Sequence, residues 1–546
     1  MDYSAEIKKF FKGEVYSDEK TLANASHDAS LFEVRPALVV APQDVYDIKN
    51  LVSFVAKKKQ AGDSISLTAR SAGTDMSGGP LTESIVVDFL PHFNHIKEVS
   101  GMAAVAEPGV YYRDFEKETL KHGLLMPSYP ASRDLCTVGG MVANNAGGEK
   151  TLTYGKTEKY VRKVKMVLAD GGEYEFRAFS MREFESVRQR KDFFGAVHQG
   201  MFNLILKNYD VIKAAKPAVS KNSAGYYLWN VYDKETGVFD LTKLVVGSQG
   251  TLGLITEATL GLVQPKKYSS LLVAFLPTLK PLAQVTKAVL AYKPESFESF
   301  DDHTLKVALK LFPSIVKKLN GSLVKLAFQF LPEFFMVLTG GVPKLILIAE
   351  FTDDSAKAAF ATANAAREAL HPFHLKTKIA RNDAEAKKYW TFRRESFNLL
   401  RQHLTNLRTA PFIDDFVVRP ESLPEFLPKL NEILSHYKIL YTIAGHVGDG
   451  NFHIIPLMNL KKPETVRIIK ELSDKVYRLV ADFKGSITGE HNDGLIRTSY
   501  LPMMYSPEII KLFEETKKIF DPLGIFNPHK KVGLDREYAW EHLNRS

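Results

Sequence analysis

The amino-acid sequence predicts an α+β protein of several domains, and three observations support this prediction. Strands alternate with helices from Pro36 onwards, a second mixed unit begins near Tyr268, and histidines cluster in glycine-framed segments towards the C-terminus. A chain of 546 residues has room for roughly two to four domains. We expect a lead-in, a first domain, a second domain and a C-terminal segment at residues 1–35, 36–267, 268–440 and 441–546.

The first domain opens with strand and helix patterns in alternation. Strands are predicted at Ala37–Val40, Ser64–Thr68 and Ile85–Phe89, with a helix at Pro42–Lys59. The loop from Arg70 to Gly79 follows a strand and is dense in small residues. Consecutive N–H groups in such a loop form a nest that binds phosphate or pyrophosphate. An ordinary tight turn has the same composition, so this loop alone does not decide the question.

Two further loops share this composition. The segments 127–148 and 245–256 are rich in Gly, Ser, Thr and Asn. Neither has the Gly-x-Gly-x-x-Gly pattern of a nicotinamide-binding Rossmann unit. Together the three loops predict backbone donors along a long, thin ligand, whereas the alternative is a set of tight turns in a twisted sheet.

The second domain is predicted from two strands, one helix and a basic segment. The strands are expected at Leu271–Phe275 and Leu345–Phe351, and the helix at Lys357–Ala369. Around Leu305–Leu319 an apolar helical face lies opposite Lys306, Lys310 and Lys317. Such a face can lie on anionic lipid, although packing on its own domain is the more usual arrangement.

Two adjacent arginines, Arg393 and Arg394, lie in the segment Trp390–Phe397. A guanidinium holds a carboxylate through two parallel hydrogen bonds, which orients the bound acid. Neighbouring residues face different directions, so only one of the two is expected to serve in this way. Arg408 is a second candidate, and a solvent-facing helical pair is the alternative explanation.

Two clusters in the C-terminal segment carry residue types that bind a metal and move a proton. His446 and His453 flank Gly-Asp-Gly-Asn, and Glu490 precedes His491. Transition metals prefer imidazole and carboxylate, and histidine exchanges a proton near neutral pH. The first two histidines do not share a helix face, so a strand or turn must bring them together. Histidines satisfied in a core are the alternative, which fits two such clusters poorly.

Composition excludes several classes of function. The net charge of +9 is spread along the chain without a compact Lys/Arg run, so nucleic-acid binding is not expected. The single cysteine, Cys136, leaves no internal disulfide and no cysteine-ligated iron–sulfur cluster. Neither a signal peptide nor a spanning helix is predicted. We therefore expect a cytoplasmic protein, with peripheral contact to the inner face of the membrane as a further hypothesis.

The three loops, taken in order, resemble the FAD-binding domain of the vanillyl-alcohol oxidase/p-cresol methylhydroxylase superfamily. The His-x-Gly-Asp-Gly-Asn-x-His and Gly-Glu-His clusters resemble its D-2-hydroxyacid dehydrogenase branch, which includes D-lactate dehydrogenase, D-2-hydroxyglutarate dehydrogenase and the glycolate oxidase flavin subunit. The resemblance runs from about Pro36 to Gly533. It implies a two-part FAD-binding domain at 36–267, an α+β substrate (cap) domain at 268–440, and a C-terminal segment at 441–546 that carries metal and base residues and closes on the flavin.

The resemblance implies FAD as the cofactor, with its pyrophosphate on the first loop and its flavin wrapped by the second. Many relatives attach FAD covalently through a histidine in the first loop, whose counterpart is Thr74, so we expect a dissociable FAD. The relatives' Asn-Pro-Gly-Lys is Asn-Pro-His-Lys here, with His529 at the glycine, which leaves the shape of that turn open. The expected cofactor contacts are Arg70, Ser71, Ala72, Gly73, Thr74, Asp75, Ser77, Gly78, Pro127, Asp134, Thr137, Gly139, Gly140, Asn144, Ala146, Gly147, Gly250, Thr251, Gly253, Ile255 and Asn527.

The resemblance also implies hydride transfer from C2 of a D-2-hydroxy acid to the flavin. His491 would accept the hydroxyl proton as general base. A divalent metal, Zn²⁺ or Mn²⁺, would lower the pKa of the hydroxyl. The expected metal ligands are His446, His453 and Glu490. The expected substrate contacts are Arg393 as the carboxylate clamp, Arg408 and Asn451.

Reduced flavin must then pass its electrons to a separate acceptor, which is a quinone, an electron-transfer flavoprotein, a cytochrome or an iron–sulfur subunit. An oxygen-using oxidase of a 2-hydroxy acid is an alternative. A catalytically silent flavin-binding subunit of a membrane-peripheral complex is a second, which the intact metal and base residues disfavour. A non-redox metallohydrolase is a third, which the three loops disfavour. The sequence does not distinguish lactate, 2-hydroxyglutarate and glycolate.

Overall fold

Three β-sheets organise the computed structural model of this chain, which describes residues 3–302, 342–403 and 407–545. The α+β class predicted from the sequence is confirmed. The basic segment around Leu305–Leu319, for which membrane contact or packing on the domain was considered above, lies outside the described residues.

The first sheet has four described strands, in the spatial order Glu14–Tyr16, Leu38–Ala41, Ile85–Asp88 and Leu67–Arg70. Its last three strands are parallel and the outer one is antiparallel. The helix Val45–Gln60 packs on it and begins where Asp44 accepts hydrogen bonds from two backbone amides. Its buried positions, including Ile48 and Leu51, recur at helical spacing. The strands and helix predicted here are confirmed, with their ends shifted by up to three residues.

The second sheet is antiparallel and has seven described strands. Their spatial order is Ile96–Ser100, Ala103–Ala106, Leu254–Gly261, Val161–Val167, Glu173–Ser180, Val238–Asp240 and Tyr232–Asp233. The long strand Leu254–Gly261 comes directly after the third glycine-rich loop and lies between two strands from earlier in the chain. This pairing fixes where the third loop ends relative to the rest of the domain.

The third sheet is also antiparallel and contains both strands that were predicted for the second domain, Leu271–Phe275 and Leu345–Phe351. Its path is Lys376–Ile379, Tyr268–Leu276, Leu345–Asp353, Ser296–Asp301, Leu440–His446, Asn451–Met458 and Arg408–Thr409. The short strand Phe416–Val417 pairs with Asn451–Met458 beside this path. The sheet therefore joins strands of the second domain to the histidine-bearing segment that follows it.

Helices surround the three sheets. Those of the first 267 residues are Ser4–Ile7, Glu19–Ala25, Val45–Gln60, Tyr112–Lys121, Val138–Asn144, Thr151–Tyr154, Met181–Arg188, Phe193–Lys207, Tyr209–Ala214 and Thr242–Val245. Those that follow, within the described residues, are Leu282–Leu290, Ala356–Glu368, Asp383–His403, Leu423–Ser435, Pro463–Asp482, Gly494–Arg497, Pro507–Phe520 and Arg536–Glu541. The helix Pro507–Phe520 begins where it does because Ser506 caps it and Pro507 occupies its first turn.

The end of the chain returns to the first sheet. The amide of Leu67 donates to Ile525 O at 2.7 Å, and that of Asn527 donates to Leu67 O at 2.8 Å. Ile525 and Phe526 are completely buried in the same core as the helix Val45–Gln60. The C-terminal segment therefore packs against the domain that carries the glycine-rich loops.

The first two histidines are brought together by a hairpin, as their spacing predicts. The strands Leu440–His446 and Asn451–Met458 pair so that His446 lies opposite Asn451 and Ala444 lies opposite His453. Residues directly opposite share a face of the sheet, as do residues two apart on one strand. Both imidazoles therefore project from one face.

None of the described helices is long and apolar enough to cross a membrane.

Gly450 closes this hairpin, and we predict that Gly450→Ala is strongly destabilising. Its φ is +67°, and an added Cβ would lie 1.8 Å from Val418 O. The left-handed conformation costs about 1–2 kcal/mol for a non-glycine residue. The clash with a buried carbonyl raises the loss to about 4 kcal/mol or more. Urea and thermal unfolding of the purified protein measure it.

Gly123→Ala is the matched control. Its φ is +69°, and an added Cβ there has no neighbour within 4 Å. Only the conformational cost of about 1–2 kcal/mol is expected. Equal losses for the two variants would contradict the tight closure of the hairpin.

Candidate active site

The first glycine-rich loop offers free backbone donors. The amides of Ala72 through Met76 donate to no acceptor among the residues that the structure describes, and residues 70–76 are half-buried. Asp75 shapes the loop from within, since its Oδ2 accepts from the amides of Ser77 and Gly79 at 3.1 and 2.7 Å. Unpaired consecutive amides form an anion-binding nest. The loop therefore fits a pyrophosphate.

Arg70 at the start of this loop turns away from solvent. One of its terminal nitrogens donates to His27 O at 2.6 Å. At Gly73, whose φ is +64°, an added Cβ would lie 2.3 Å from the same guanidinium. Glycine is therefore needed for the loop to fold over the arginine, and Arg70 supports the loop from beneath.

The second loop adjoins the first. The hydroxyls of Ser71 and Thr137 are 2.6 Å apart, and Thr137 caps the helix Val138–Asn144 by accepting from the amide of Gly140. An added Cβ at Gly140 would meet only these two hydroxyls, at 3.2 and 3.6 Å. A side chain at position 140 would therefore crowd the two hydroxyls that join the first loop to the second.

The third loop is held against the other two. Gln249 donates from its amide to Ala143 O at 2.8 Å and from its side chain to Ser77 Oγ at 3.1 Å. The amide of Gly247 donates to Val142 O at 2.9 Å. The three loops predicted to line one ligand therefore do lie together.

Asn527 ties the first loop to the third. Its Nδ2 donates to Gly79 O at 3.0 Å and to Gln249 O at 2.6 Å, and its Oδ1 accepts from Thr68 at 3.1 Å. The side-chain amide is thus engaged by protein partners, and its contact to the flavin stays a prediction. His529 adopts the left-handed conformation, with φ at +67°, which glycine adopts more readily than histidine.

Some predicted cofactor residues face elsewhere. Asp134 is exposed. Thr251 is completely buried, and its hydroxyl lies 2.6 Å from Tyr226 OH. Gly253 packs on Met166 of the second sheet. Asp134 therefore faces solvent, whereas Thr251 and Gly253 pack into the core. The other predicted residues, Pro127, Gly139, Asn144, Ala146, Gly147, Gly250 and Ile255, lie within the second and third loops or at the start of the strand that follows.

Three imidazoles meet at one carboxylate oxygen in the C-terminal segment. The Nε2 atoms of His446, His453 and His491 lie 3.2, 3.5 and 4.0 Å from Oε1 of Glu490. The rings of His453 and His491 stack at 5.1 Å. The predicted metal and base residues are therefore adjacent in space, although Glu490 and His491 arrive from a separate segment.

A buried carboxylate holds the other nitrogen of each ring. Nδ1 of His446 lies 2.6 Å from Glu298 Oε1. Nδ1 of His453 and Nδ1 of His491 lie 3.0 and 2.7 Å from the two oxygens of Asp414. A carboxylate on Nδ1 fixes the orientation of an imidazole and directs the lone pair of Nε2 to the other side.

The charges of the cluster favour a cation between the rings. Burial opposes charge on His453, but Asp414 and Glu490 outweigh it and raise the pKa of His453 to about 10. Burial also opposes charge on His491, yet Asp415 and Asp414 raise its pKa. Despite burial, Lys221 and His446 hold the pKa of Glu490 well below its usual range.

This donor set fits a divalent metal. Lone pairs of imidazole nitrogens that face a carboxylate oxygen require a proton or a metal ion between them, and Zn²⁺ and Mn²⁺ accept these ligand types. Ligand atoms of Asp415, His453, Glu490 and His491 lie within 4.8 Å of one another. Asp415 already accepts hydrogen bonds from the amides of Glu490 and His491. His446, at 3.2 Å from Glu490, therefore completes the set better.

Four charged residues that sequence reasoning missed hold this cluster together: Lys221, Glu298, Asp414 and Asp415. The two aspartates stand between apolar pairs in Phe412–Val417, and they lie, buried, just before the strand Phe416–Val417. Lys221 and Glu298 lie in segments without a recognisable motif, so only the fold reveals them.

Lys221 is completely buried beneath the cluster. Its Nζ lies 3.0 Å from Glu490 Oε2 and 3.4 Å from Asn451 Oδ1. Asn451 is also completely buried, and its Nδ2 donates to Asp415 Oδ1 at 3.0 Å. Protein partners therefore engage the side chain of Asn451, which supports the metal and base residues from beneath, and its contact to the substrate stays a prediction.

The three arginines considered above lie in different parts of the structure. Nε of Arg393 lies 3.0 Å from Glu298 Oε2, so Arg393 reaches the cluster. Arg394 points to Glu149, the residue directly after the second loop, with an Nε–Oε2 distance of 3.0 Å. Arg408 is exposed and pairs with Met458, five residues along the strand from His453. That separation is about 16 Å along an extended strand, so the structure does not bring Arg408 to the site.

The histidine cluster lies directly against the glycine-rich loops. Nδ2 of Asn144 donates to Glu490 O at 3.3 Å. An added Cβ at Gly147 would lie 3.2 Å from Glu490 Oε2. Asn492 donates to Asn144 O at 3.1 Å and to Gly247 O at 2.9 Å. Loops and cluster are therefore two sides of one site.

Comparison with known proteins agrees with this architecture. Residues 36–177 match the FAD binding domain family, and residues 265–531 match the C-terminal domain of the FAD linked oxidases. The fold resembles 4-ethylphenol oxidase from Gulosibacter chungangensis at a TM-score of 0.67 and 16% identity, covering 97% of this chain and 96% of that one. It also resembles p-cresol methylhydroxylase at 0.65 and 12%, covering 95% and 94%.

Curated relatives are similar over nearly the whole chain. D-2-hydroxyglutarate dehydrogenase of Pseudomonas putida is 26% identical over 95% of this chain, which spans only 50% of that relative's length. The glycolate oxidase subunit GlcD of Bacillus subtilis is 25% identical, covering 93% of this chain and 92% of the relative. D-lactate dehydrogenase of Archaeoglobus fulgidus is 25% identical over 91% of each chain.

The chain combines an FAD binding domain with the C-terminal domain of the FAD linked oxidases, and a polar cluster lies against the loops of the first of these domains. The two family models together match most of the sequence. The chain belongs to the FAD-linked oxidases, and its relatives include enzymes named as 2-hydroxyacid dehydrogenases.

Proposed function

We propose that this chain is an FAD-dependent dehydrogenase that oxidises a D-2-hydroxy acid to its 2-oxo acid, assisted by Zn²⁺ or Mn²⁺. The observation that carries this proposal is the convergence of three imidazoles on Glu490, beside the glycine-rich loops. The names of the relatives support the substrate class, namely D-2-hydroxyglutarate, D-lactate and glycolate.

The segments of the chain divide this task. Residues 36–267 hold a non-covalent FAD after the lead-in of residues 1–35, residues 268–440 form the substrate domain, and residues 441–546 supply the metal ligands and the base. Electrons go to a separate acceptor, which is a quinone, an electron-transfer flavoprotein, a cytochrome or an iron–sulfur subunit. A cytoplasmic location, peripheral to the membrane where the acceptor is a quinone, agrees with a chain that has one cysteine.

Arg393 orients the substrate in this proposal. Glu298 engages its Nε, and its terminal nitrogens form no hydrogen bond to any residue described in the structure. A fork of two N–H donors is the group that binds a carboxylate through parallel hydrogen bonds. Because Arg393 is linked to His446 through Glu298, the 2-hydroxyl of an acid bound there is placed near the imidazoles.

His491 takes the hydroxyl proton. Its side chain is 20% exposed, compared with 12% for His453 and 6% for His446, so it is the most accessible of the three rings. Asp414 holds its Nδ1 at 2.7 Å, which leaves Nε2 to accept the proton. The O–H proton goes to this nitrogen while the C2–H bond breaks and a carbonyl forms.

FAD and the divalent metal would supply the redox and Lewis-acid chemistry that amino-acid side chains lack. When bound, FAD would supply the acceptor for the hydride of C2, and a divalent metal would supply a Lewis acid for the hydroxyl oxygen. His446, His453 and Glu490 would hold that metal, and Asp414 lies beside the Nδ1 atoms of His453 and His491.

Anaerobic flavin bleaching tests the function. The holoenzyme is mixed without oxygen with D- and L-lactate, D- and L-2-hydroxyglutarate, and glycolate. We expect at least one of the D-acids or glycolate to bleach the flavin absorbance, and L-acids to bleach it far more slowly. Absence of bleaching by the whole panel would overturn the proposal, and rapid reoxidation in air would favour an oxidase instead.

His491→Ala should retain FAD but lose turnover by about 10²–10⁴-fold, which is the usual contribution of general acid–base catalysis. FAD content is measured by absorbance, and turnover with an artificial electron acceptor. His436→Ala, at an exposed surface position, is the control and should match the wild type. Near-normal turnover of His491→Ala would contradict the assignment of His491 as the general base.

Chelation should abolish activity while leaving FAD bound, and Zn²⁺ or Mn²⁺ should restore it. Asp414→Asn should weaken metal retention by about 10–100-fold, since a residue that orients metal-binding imidazoles has an effect of this size. Elemental analysis after dialysis measures it. Asp47→Asn, which removes a buried carboxylate that accepts backbone amides elsewhere, should retain metal. Full activity after complete metal removal would contradict the metal assignment.

FAD should be released when the protein is precipitated with acid. Thr74 stands where many relatives carry the histidine that forms a covalent bond to FAD, and threonine does not form this bond. The absorbance of the supernatant and of the pellet is measured after precipitation. Yellow colour that stays with the pellet would show a covalent attachment at another residue.

A further inference from the structure

We infer that Glu298 is the positioning residue that joins the substrate clamp to the metal cluster, so that carboxylate affinity and metal affinity depend on one side chain. The inference rests on the proposed function and assigns a specific role to a residue that lies in no recognisable sequence motif. Glu298 acts through Arg393 and His446 rather than by touching the reacting atoms.

The sheet fixes the position of Glu298. Ser299 pairs with Gly445, and Phe300 with Ala444, in the antiparallel register of the strands Ser296–Asp301 and Leu440–His446. The same register places Glu298 opposite His446. Residues directly opposite on antiparallel strands have Cβ atoms about 4.5–5.5 Å apart and project from the same face. The contact between them is therefore set by strand pairing and not by a loop.

The two carboxylate oxygens have different partners. Oε1 lies 2.6 Å from Nδ1 of His446, and Oε2 lies 3.0 Å from Nε of Arg393. The Glu298 side chain is 1% exposed, while that of Arg393 is 14% exposed. A buried carboxylate that links two cationic or hydrogen-donating groups in this way holds both in one geometry.

Each contact has a separate consequence. On the imidazole side, Glu298 accepts a hydrogen bond from the Nδ1–H group of His446. Nε2 of His446 therefore presents its lone pair to the metal position beside Glu490. On the guanidinium side, Glu298 engages Nε and leaves the terminal nitrogens of Arg393 to bind an acid. One carboxylate thus sets the distance between the group that binds the substrate carboxylate and the group that binds its hydroxyl.

Glu298→Gln distinguishes these roles. The amide oxygen can still accept from one partner, but the NH₂ group of glutamine opposes an N–H of the other. We expect the variant to keep its FAD, to raise the dissociation constants for Zn²⁺ and Mn²⁺ about tenfold or more, and to raise KM for the active acid more than it lowers kcat. Glu298→Asp retains the charge but is one methylene shorter, and it should fall between the wild type and Glu298→Gln.

Glu295→Gln is the matched control. Glu295 is a buried carboxylate just before the same strand; its Oε2 forms an ion pair with Lys150 Nζ at 2.9 Å, and its Oε1 accepts from Tyr154 OH at 2.9 Å. Its removal should change neither the metal constant nor KM. Equal effects of Glu295→Gln and Glu298→Gln would overturn the inference, because they would show a general loss of stability.

A double-mutant cycle tests whether Glu298 acts through the clamp. In an Arg393→Lys background, which lacks the guanidinium Nε, Glu298→Gln should cause little further increase of KM. Additive increases would overturn the inference, as would unchanged metal and substrate constants in Glu298→Gln.

Failure of this inference can be told apart from failure of the proposed function. If the wild type binds Zn²⁺ or Mn²⁺ but no acid bleaches the flavin, the proposed function fails, and the metal constant of Glu298→Gln still decides the role of Glu298. A wild type that binds neither metal overturns both.

Discussion

A single carboxylate oxygen that faces three imidazoles is the arrangement on which the rest of the site depends. Glu490 can occupy this place because Lys221 holds its second oxygen at 3.0 Å and because buried carboxylates anchor the far nitrogen of each ring. Buried charges are tolerated when each is paired and hydrogen-bonded, and removal of one partner leaves an unpaired charge. The cluster therefore behaves as one unit, and a change at Asp414 acts on two rings at once.

Two different scaffolds meet at this unit. The hairpin of the eight-stranded sheet presents His446 and His453 on one face, and strands hold side chains more rigidly than loops do. The glycine-rich loops come from the first domain and are joined to the cluster by Asn144 and Asn492. The proposed substrate thus lies between a rigid polar face and a cradle of backbone donors. Glu298 connects this face to the arginine of the substrate domain.

The fold alone does not specify this chemistry. Flavoenzymes that are named for phenolic substrates share the architecture at 12–16% identity, and related folds often carry different reactions on different side chains. Here the distinguishing features are the imidazoles, their carboxylate partners and Arg393. A polar, cation-favouring face suits a hydroxy acid, because it can polarise a hydroxyl and bind a carboxylate in the same site.

The sequence by itself determined the α+β class, the order of the loops and the hairpin that unites His446 with His453, because these follow from local patterns of apolar residues, glycines and turns. The residue types also indicated Glu490 as a candidate metal ligand and His491 as a candidate general base. Only the tertiary structure decided which groups hold them, since Glu298 lies 148 residues before His446 and reaches it through strand pairing that no local pattern encodes. For the same reason the structure alone separated Arg393, which reaches the cluster, from Arg408, which faces solvent. Local sequence specifies the elements, and packing between distant segments specifies the contacts that make them a site.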